Sequence, residues 1–409
     1  MRERVVVTGL GCISSFGVGH HSFANGLIEG ACGVQPISVF DTTACRSHRA
    51  AMLQGFDPAA FIAPLLLRRI NEVGRLAIAC AHLALHDAGC VPDSNGTDDI
   101  GVALGTCTAG VDSTVEYLHG LAQHGPAGVP ALLFSNTVSN APASLCAIEF
   151  GLRGPNVTFN QREASSLGAL VFCMGAVRER RVRAMLTGGA DRIEETFFKV
   201  HDRFHALSPM RVGGDEAARP FDRRRNGFVL GEGGFGVLVE SGTSARNRGA
   251  RVYGEILGVG MTASSTELNQ WPVDSLSLSR AITLALADAG IPPGGIDAVF
   301  ATANGSPHLD ALEATALATV FGDRPVPVAS LKGTIGEHGS GGAAGVVAGL
   351  LTLSRGVMPP TVGFAEHDPT CAVNASATAR RTSGTTFLVN SVASGGATYA
   401  LVVRGFARP

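Results

Sequence analysis

Residues 156–170, NVTFNQREASSLGAL, have the pattern of a site that holds a nucleophile, but the residue at the tip is a glutamate. The pattern predicts a short buried strand over 156–159, a sharp connection over 160–164 and a helix from Ser165, after which apolar residues recur at helical spacing. Such an elbow aims its tip residue at the positive end of a helix, where thiols and hydroxyls are activated and a carboxylate is stabilised by about 0.3 to 1 kcal/mol. Glu163 is therefore a working carboxylate, a structural occupant or the remnant of a lost active site.

Three later segments carry polar residues between glycines. They are residues 301–314 (ATANGSPHLDALEA), 331–345 (LKGTIGEHGSGGAAG) and 390–397 (NSVASGGA). Glycines on either side of a polar residue let a loop approach a ligand closely. We expect these segments to form one site with the elbow.

Other kinds of site have weaker support. His201 and His205 are four residues apart, a spacing that can bind a metal from one helix, but no carboxylate or third histidine accompanies them, so we expect no metal there. Gly9 and Gly11 follow the first predicted strand, but residue 14 is a serine and the third glycine of a dinucleotide turn is missing. No phosphate-binding loop of the GxxxxGK type is present in the sequence.

Composition excludes several classes of protein. A net charge of -2 with 16% charged residues argues against a nucleic-acid binder, which needs a basic surface. The arginine clusters at 178–183 and 223–225 are expected to be solvated faces.

Nine scattered cysteines indicate reduced thiols, and the N-terminus enters a strand with no signal-peptide core. No apolar run approaches the roughly 18 residues of a membrane span, so we expect a cytoplasmic protein.

Strands and helices alternate along the chain, which predicts an α/β fold. Apolar strands are predicted at 4–11, 236–240, 250–260 and near the C-terminus, and helices at 71–89, 277–290 and 341–356. Both halves close with a glycine-rich turn and an apolar strand. The polar segment 240–251 is the expected join, which gives an N-terminal half of residues 1–245 and a C-terminal half of residues 246–409.

The whole chain resembles the β-ketoacyl synthases of fatty-acid and polyketide assembly. The matching segments, in order, are VVVTGLG at the start, GLRGPN before the elbow, ALS at 206–208, RPFDRRRNGFVLGEG from Arg219, the loop with Lys332, and NS followed by GG near the end. The resemblance implies the thiolase fold, in which two similar halves form a layered αβαβα core, and it implies no cofactor. In active members the elbow carries a cysteine, and two later loops each supply a histidine.

This chain departs from the family at all three catalytic positions. The cysteine position is Glu163, the first histidine position is Asn304 and the second is Glu337. Lys332 is retained, His338 lies one residue late, and Ser394 stands where active enzymes have a gating phenylalanine. Condensation needs a thiolate to hold the acyl chain and imidazoles to stabilise the enolate and the oxyanion, so this chain is expected to be inactive in ordinary condensation.

The same pattern is similar to the chain-length factor, the β-subunit of type II polyketide synthases. The loop GSPHLDALEA and the elbow QREASSLGAL resemble its motifs, although the usual elbow glutamine is Glu163 here. The resemblance implies an active ketosynthase α-subunit as heterodimer partner, an acyl carrier protein as a second partner, and an acyl tunnel at the subunit interface.

The segments that match the tunnel wall contain several candidate residues. Thr108, Asp112, Val115 and Glu116 are expected to share a helix face or to neighbour it, with Phe134 in the following segment. One hypothesis is that Asp112 contacts or gates the growing chain; the alternative is that Asp112 and Glu116 face solvent.

A second hypothesis keeps chemistry in this chain. A reworked site for malonyl decarboxylation or another acyl transfer would then consist of Glu163, Asn304 and either Glu337 or His338. An ionised Glu163 cannot donate a hydrogen bond to an enolate, whereas a protonated one can. Cys107, Cys146 and Cys173 are further candidate nucleophiles, but none is at the elbow tip.

Overall fold

A computed structural model describes residues 2–93, 95–210 and 216–406. Fifteen strands are formed by these residues: β1 Val5–Ser14, β2 Gly17–Val18, β3 Val34–Pro36, β4 Arg49–Ala51, β5 Ile100–Gly105, β6 Asn156–Phe159, β7 Ala184–Asp191, β8 Gly233–Ser241, β9 Gly254–Ala263, β10 Ala298–Phe300, β11 Val328–Ala329, β12 Val357–Met358, β13 Arg380–Arg381, β14 Thr386–Val392 and β15 Ala397–Gly405.

The α-helices of the described residues connect and cover these strands. They are α1 His20–Glu29, α2 Pro64–Leu67, α3 Glu72–Asp87, α4 Val111–His124, α5 Ala131–Phe134, α6 Ala141–Phe150, α7 Ser165–Arg178, α8 Glu195–Arg203, α9 Gly242–Asn247, α10 Leu276–Ala289, α11 Pro307–Phe321, α12 Lys332–Ile335 and α13 Gly341–Thr352. None of the helices so described is both long and apolar enough to cross a lipid bilayer.

The two halves of the chain repeat one sheet topology. In the N-terminal half the strand order is β6-β5-β7-β8-β1, and in the C-terminal half it is β11-β10-β14-β15-β9. When these five strands of each half are numbered along the chain, both halves have the spatial order third, second, fourth, fifth, first. Pairing of β1 with β9 joins the halves into one 11-stranded sheet. The expectation of two halves built on one plan is therefore confirmed.

Five layers follow from the helix packing. Helices α7 and α13 contact each other and lie between the two halves of the sheet, where they form the central core. On the outer sides, α3 and α6 cover the N-terminal half, and α10 and α11 cover the C-terminal half. Helix α13 has only small and aliphatic residues apart from Thr352 and is buried along its whole length, because sheet or helix surrounds it on every side.

The predicted elements are present, with one correction. Strands β1 and β8 and helices α3, α10 and α13 lie where the apolar patterns predict them. The prediction that residues 156–159 form a buried strand was wrong, because β6 is an edge strand that pairs only with β5 among the described strands and is partly exposed. Its apolar residues pack on one face while its outer edge remains open.

The two arginine clusters are engaged in ion pairs within the chain. Arg178 binds Asp288 at 2.8 Å, Arg180 binds Glu3 at 3.3 Å, and Arg224 binds Asp222 at 2.9 Å. Arg180 and Arg224 are solvated, as expected, but the side chains of Arg178 and Arg225 are only 18% and 7% exposed because their ion pairs are partly buried. The predicted boundary at residues 245 and 246 falls inside α9, and it stays a prediction.

Asp222, in the RPFDRRRNGF segment, fastens that segment to the C-terminal half. Its fully buried carboxylate accepts hydrogen bonds from Arg224 and from the backbone N–H groups of Ala365 and Glu366, both at 2.7 Å. Burial alone would raise its pKa, but the bonds from Arg224 and from these backbone groups outweigh burial and lower the pKa of Asp222 to about 2.

We expect Asp222→Asn to flatten the dependence of stability on pH in acid. Since the folded-state pKa lies below the unfolded value, this carboxylate stabilises the fold above about pH 4, and the stabilisation is lost as the pH falls toward 2. The loss between pH 5 and pH 3 is about 1 kcal/mol, roughly half of the full effect, and it is obtained from chemical denaturation curves at the two pH values. Asp274→Asn, at an exposed site, is the control, and equal profiles for the two variants would refute the expectation.

Candidate functional site

The elbow predicted from the sequence is present. β6 ends at Phe159, a turn of 3-10 helix spans Arg162–Ala164, and α7 begins at Ser165. Arg162 has a φ of 50°, in the left-handed region, which turns the chain sharply. As a result Glu163 lies at the N-terminal end of α7 with only 9% of its surface exposed.

The Glu163 carboxylate is bound by the terminal loop. Ser394 donates to it from its backbone N–H at 2.9 Å and from its hydroxyl at 3.0 and 3.1 Å. Ser391 donates to the backbone carbonyl of Glu163 at 3.0 Å. The backbone N–H of Ser394, a donor that could hold an anion at the elbow, is therefore already used by a side chain of the protein itself.

Lys332, Glu337 and Asn304 form a second buried polar cluster, which we call the lysine cluster. Glu337 forms an ion pair with Lys332 and accepts a hydrogen bond from Asn304 Nδ2 at 2.8 Å. Gly341 leaves the space that the Lys332 ammonium occupies, because a Cβ at residue 341 would lie 2.2 Å from Nζ. Burial raises the pKa of Glu337, whereas the charge of Lys332 opposes that rise.

Two acidic residues that the sequence reasoning did not single out hold the Asn304 loop. Asp310 accepts hydrogen bonds from the backbone N–H groups of Asn304 and Gly305, at 3.0 and 3.2 Å, and Glu313 accepts from those of Thr302 and Ala303. Burial raises the pKa of Asp310 to about 7, against the effect of these bonds. The signal was available, since Asp310 and Glu313 are one helical turn apart at the start of α11.

Asp191, at the end of β7, positions the other side of the site and was also missed. Its fully buried carboxylate accepts hydrogen bonds from the backbone N–H groups of Cys107, Thr108 and Ser340, at 2.7 to 3.1 Å. It thereby ties the segment after β5 to the loop that carries His338. Nothing in the local pattern distinguishes this aspartate, because its partners come from two segments that are both distant from it in the sequence.

The structure brings together most of the predicted catalytic positions. Glu163, Glu337 and His338 line one small chamber of about 20 Å³ behind the elbow. Asn304 reaches this group through its bond to Glu337. The bonds of Glu163 to Ser394 place the terminal loop against the elbow, and a gating role for that loop stays a prediction.

The predicted tunnel residues are more scattered. Helix α4 begins at Val111, so the expectation that Thr108 lies on that helix was wrong: Thr108 is buried before it and binds Asp191. Asp112 accepts hydrogen bonds from Asn71 Nδ2 at 3.2 Å and from the backbone N–H of Ser113 at 2.7 Å. Val115 is half-buried, Glu116 is exposed and Phe134 is 59% exposed. A role for these residues in a tunnel stays a prediction.

The cysteine and histidine candidates have ordinary surroundings. Burial raises the pKa of Cys107 and of Cys146 far above the usual range and that of Cys173 to about 12, so these thiols stay protonated. All nine cysteines are free. His205 contacts Arg46, and His201 binds the backbone of Phe197. In the described part of the chain no three metal-binding side chains come together.

Sequence comparison places the chain in a known family. The N-terminal domain of beta-ketoacyl synthases matches residues 2–245, and their C-terminal domain matches residues 253–365. Together these matches cover most of the chain. It belongs to the beta-ketoacyl synthase family and has its thiolase-like fold.

Within that family the chain is similar to both kinds of subunit in polyketide assembly. It is 32% identical to the tetracenomycin polyketide synthase ketoacyl synthase beta subunit of Streptomyces glaucescens, over 89% of each chain. It is also 32% identical to the corresponding alpha subunit, over 90% of this chain and 89% of the other. The structure called the ishigamide ketosynthase/chain length factor superposes over 100% of both chains, with a TM-score of 0.93 and 29% identity. Overall sequence identity does not distinguish the two kinds of subunit, so the distinction depends on the site residues.

Proposed function

We propose that this chain is the non-condensing, chain-length-determining subunit of a type II polyketide ketosynthase. In this role it pairs with an active ketosynthase, whose elbow holds the catalytic cysteine, and shapes the acyl tunnel at their interface. The carrier protein delivers the growing acyl chain to the partner's cysteine as a thioester, and a malonyl group that stays on its carrier protein loses carbon dioxide and extends that chain.

The observation that carries this proposal is that donors around the elbow are engaged within the chain. Ser394 donates to Glu163, and both Lys332 and Asn304 donate to Glu337. Condensation and decarboxylation both develop negative charge on an oxygen, which needs free donors aimed at it. Here two carboxylates take those donors, and an uncompensated carboxylate at residue 163 would repel a malonyl group or an enolate.

A partner surface is supported by exposed apolar side chains on α6, which packs against β6, and on the preceding segments of the chain. Those of α4, α5, α6 and the α5–α6 connection are Leu118, Leu132, Phe134, Val138 and Ile148. Exposed apolar patches of this kind mark protein interfaces, and an open strand edge offers unpaired backbone groups to a partner. The candidate tunnel residues Val115, Glu116 and Phe134 lie on the same stretch of chain, 111–134.

The test is co-production with a candidate ketosynthase α-subunit. We expect a stable 1:1 complex in which condensation of malonyl groups continues within about twofold after Glu163→Ala, and stops when the partner's elbow cysteine is replaced. Loss of condensation in Glu163→Ala, with the complex intact by gel filtration, would reject a non-condensing role.

The second candidate is a malonyl carrier-protein decarboxylase, or a reworked acyltransferase, that uses Glu163. It is favoured by a cavity that reaches Glu163 from the surface and by the buried Nε2 of His338, which has no hydrogen-bond partner among the described residues. Decarboxylation of malonyl carrier protein by this chain alone, lost in Glu163→Ala, would establish this candidate in place of the first.

A further inference from the structure

A cavity of about 560 Å³ opens from the surface onto the elbow, and its chemistry differs from that of an anion site. Its walls are largely apolar and include Phe197, Phe204, Phe228 and Trp271. At its inner end lie Glu163 and Ser394, already bonded to each other. Cavities of this size and character bind small organic molecules, and the few polar groups within them decide which ones.

His201, in the wall of this cavity, presents a hydrogen-bond acceptor. Its Nδ1 lies 2.8 Å from the carbonyl oxygen of Phe197, which can only accept, so the proton of the ring is on Nδ1. Burial lowers the pKa of His201, and the charge of Arg162 lowers it further, so the ring is neutral near pH 7. Its Nε2 therefore carries a lone pair.

His338 presents a second acceptor in the chamber behind Glu163. Ser340 Oγ lies 3.0 Å from the Gly233 carbonyl oxygen and donates to it, so His338 Nδ1, 2.6 Å from the same Oγ, must be the donor. The Nε2 of this ring is then a lone pair that is buried and without a partner among the described residues. The chamber of about 20 Å³ can hold one water between this lone pair and Glu163.

Donor side chains also line the cavity. The Arg162 guanidinium, which borders both the cavity and the chamber, is bonded to Asn269, and Asn269 and Gln270 are exposed. The hydroxyl and the backbone N–H of Ser394 already serve Glu163. A ligand that reaches the elbow thus meets a carboxylate and imidazole lone pairs.

From this arrangement we infer that the cavity binds an apolar molecule with a protonated primary amine as its head. The ammonium group donates to Glu163, with His201 Nε2 or the chamber water as further acceptors, and the apolar body lies against the aromatic walls. A carboxylate head is disfavoured, because at the elbow it would lie against the Glu163 carboxylate and the imidazole lone pairs. The inference concerns a ligand site within this chain and does not depend on the proposed subunit role.

The test compares octylamine, octanol and octanoate as probes of one apolar body with three heads. Each is titrated into the full chain in complex with its ketosynthase partner, or into the full chain alone if no complex forms, and heat of binding is measured near pH 7. We expect octylamine to bind at least about tenfold more tightly than octanol, and octanoate more weakly than either.

Glu163→Gln keeps the size of the side chain and removes its charge, so it should reduce the preference for octylamine over octanol to about twofold or less. A binding site in the partner subunit would contribute equally to the complexes of the original chain and of Glu163→Gln, so it does not affect the comparison of the two. Glu195→Gln, which removes an exposed carboxylate of α8 outside the cavity lining, is the matched control and should keep the preference. Equal binding of octanoate and octylamine, an unchanged preference in Glu163→Gln, or loss of octanol binding along with that of octylamine would each overturn the inference.

Discussion

Lys332→Met is expected to destabilise the protein by about 3 to 5 kcal/mol, because it leaves the charge of Glu337 buried without its cation. The side chains of Lys332 and Glu337 are only 7% and 3% exposed, so water cannot replace the lost partner. Asn304 would remain as a hydrogen-bond donor to Glu337, at 2.8 Å. The measurement is the midpoint of chemical denaturation, followed by circular dichroism.

The double variant Lys332→Met, Glu337→Gln separates charge from packing. If the lost ion pair is the cause, removal of the second charge should recover part of the stability. Lys199→Met is the control, since it breaks an exposed pair with Glu195 on α8 and should leave the denaturation midpoint almost unchanged. A double variant as unstable as Lys332→Met alone would show that packing around the lysine stem is responsible.

Ile148→Glu is expected to raise the dissociation constant of the complex with the ketosynthase partner at least about 100-fold. Ile148 is on α6, which packs beside the edge strand β6, and it is 78% exposed in the isolated chain. A charge there would be buried at the proposed interface without an ion-pair partner. Binding is measured by analytical ultracentrifugation of the separately tagged subunits.

Leu284→Glu provides the comparison, because Leu284 is also exposed, at 42%, but is on α10 over the C-terminal half of the sheet. It should leave the dissociation constant within about threefold of the original. If Ile148→Glu binds the partner as tightly as Leu284→Glu does, the interface lies on another face of the chain.

Local patterns identify the elbow and its helix without the structure. Apolar spacing after Ser165 predicts a helix, and α7 begins at that residue. The burial of β6 was predicted wrongly, because the apolar residues of a four-residue segment do not distinguish an edge strand from a central one. Position in the sheet depends on which strands pair, and those pairs join distant parts of the chain.

The sequence by itself determined that this is an α/β protein of the β-ketoacyl synthase family, and it predicted that the elbow cysteine and both loop histidines are replaced. Both conclusions depend on residue types, order and motifs, which one chain displays completely. Only the tertiary structure decided what the replacements do to each other: Ser394 gives its donors to Glu163, and Lys332 and Asn304 give theirs to Glu337. The reason is physical, because the elbow and Ser394 are separated by 231 positions, and hydrogen bonds between such distant segments exist only once the two halves of the sheet have packed around α7 and α13.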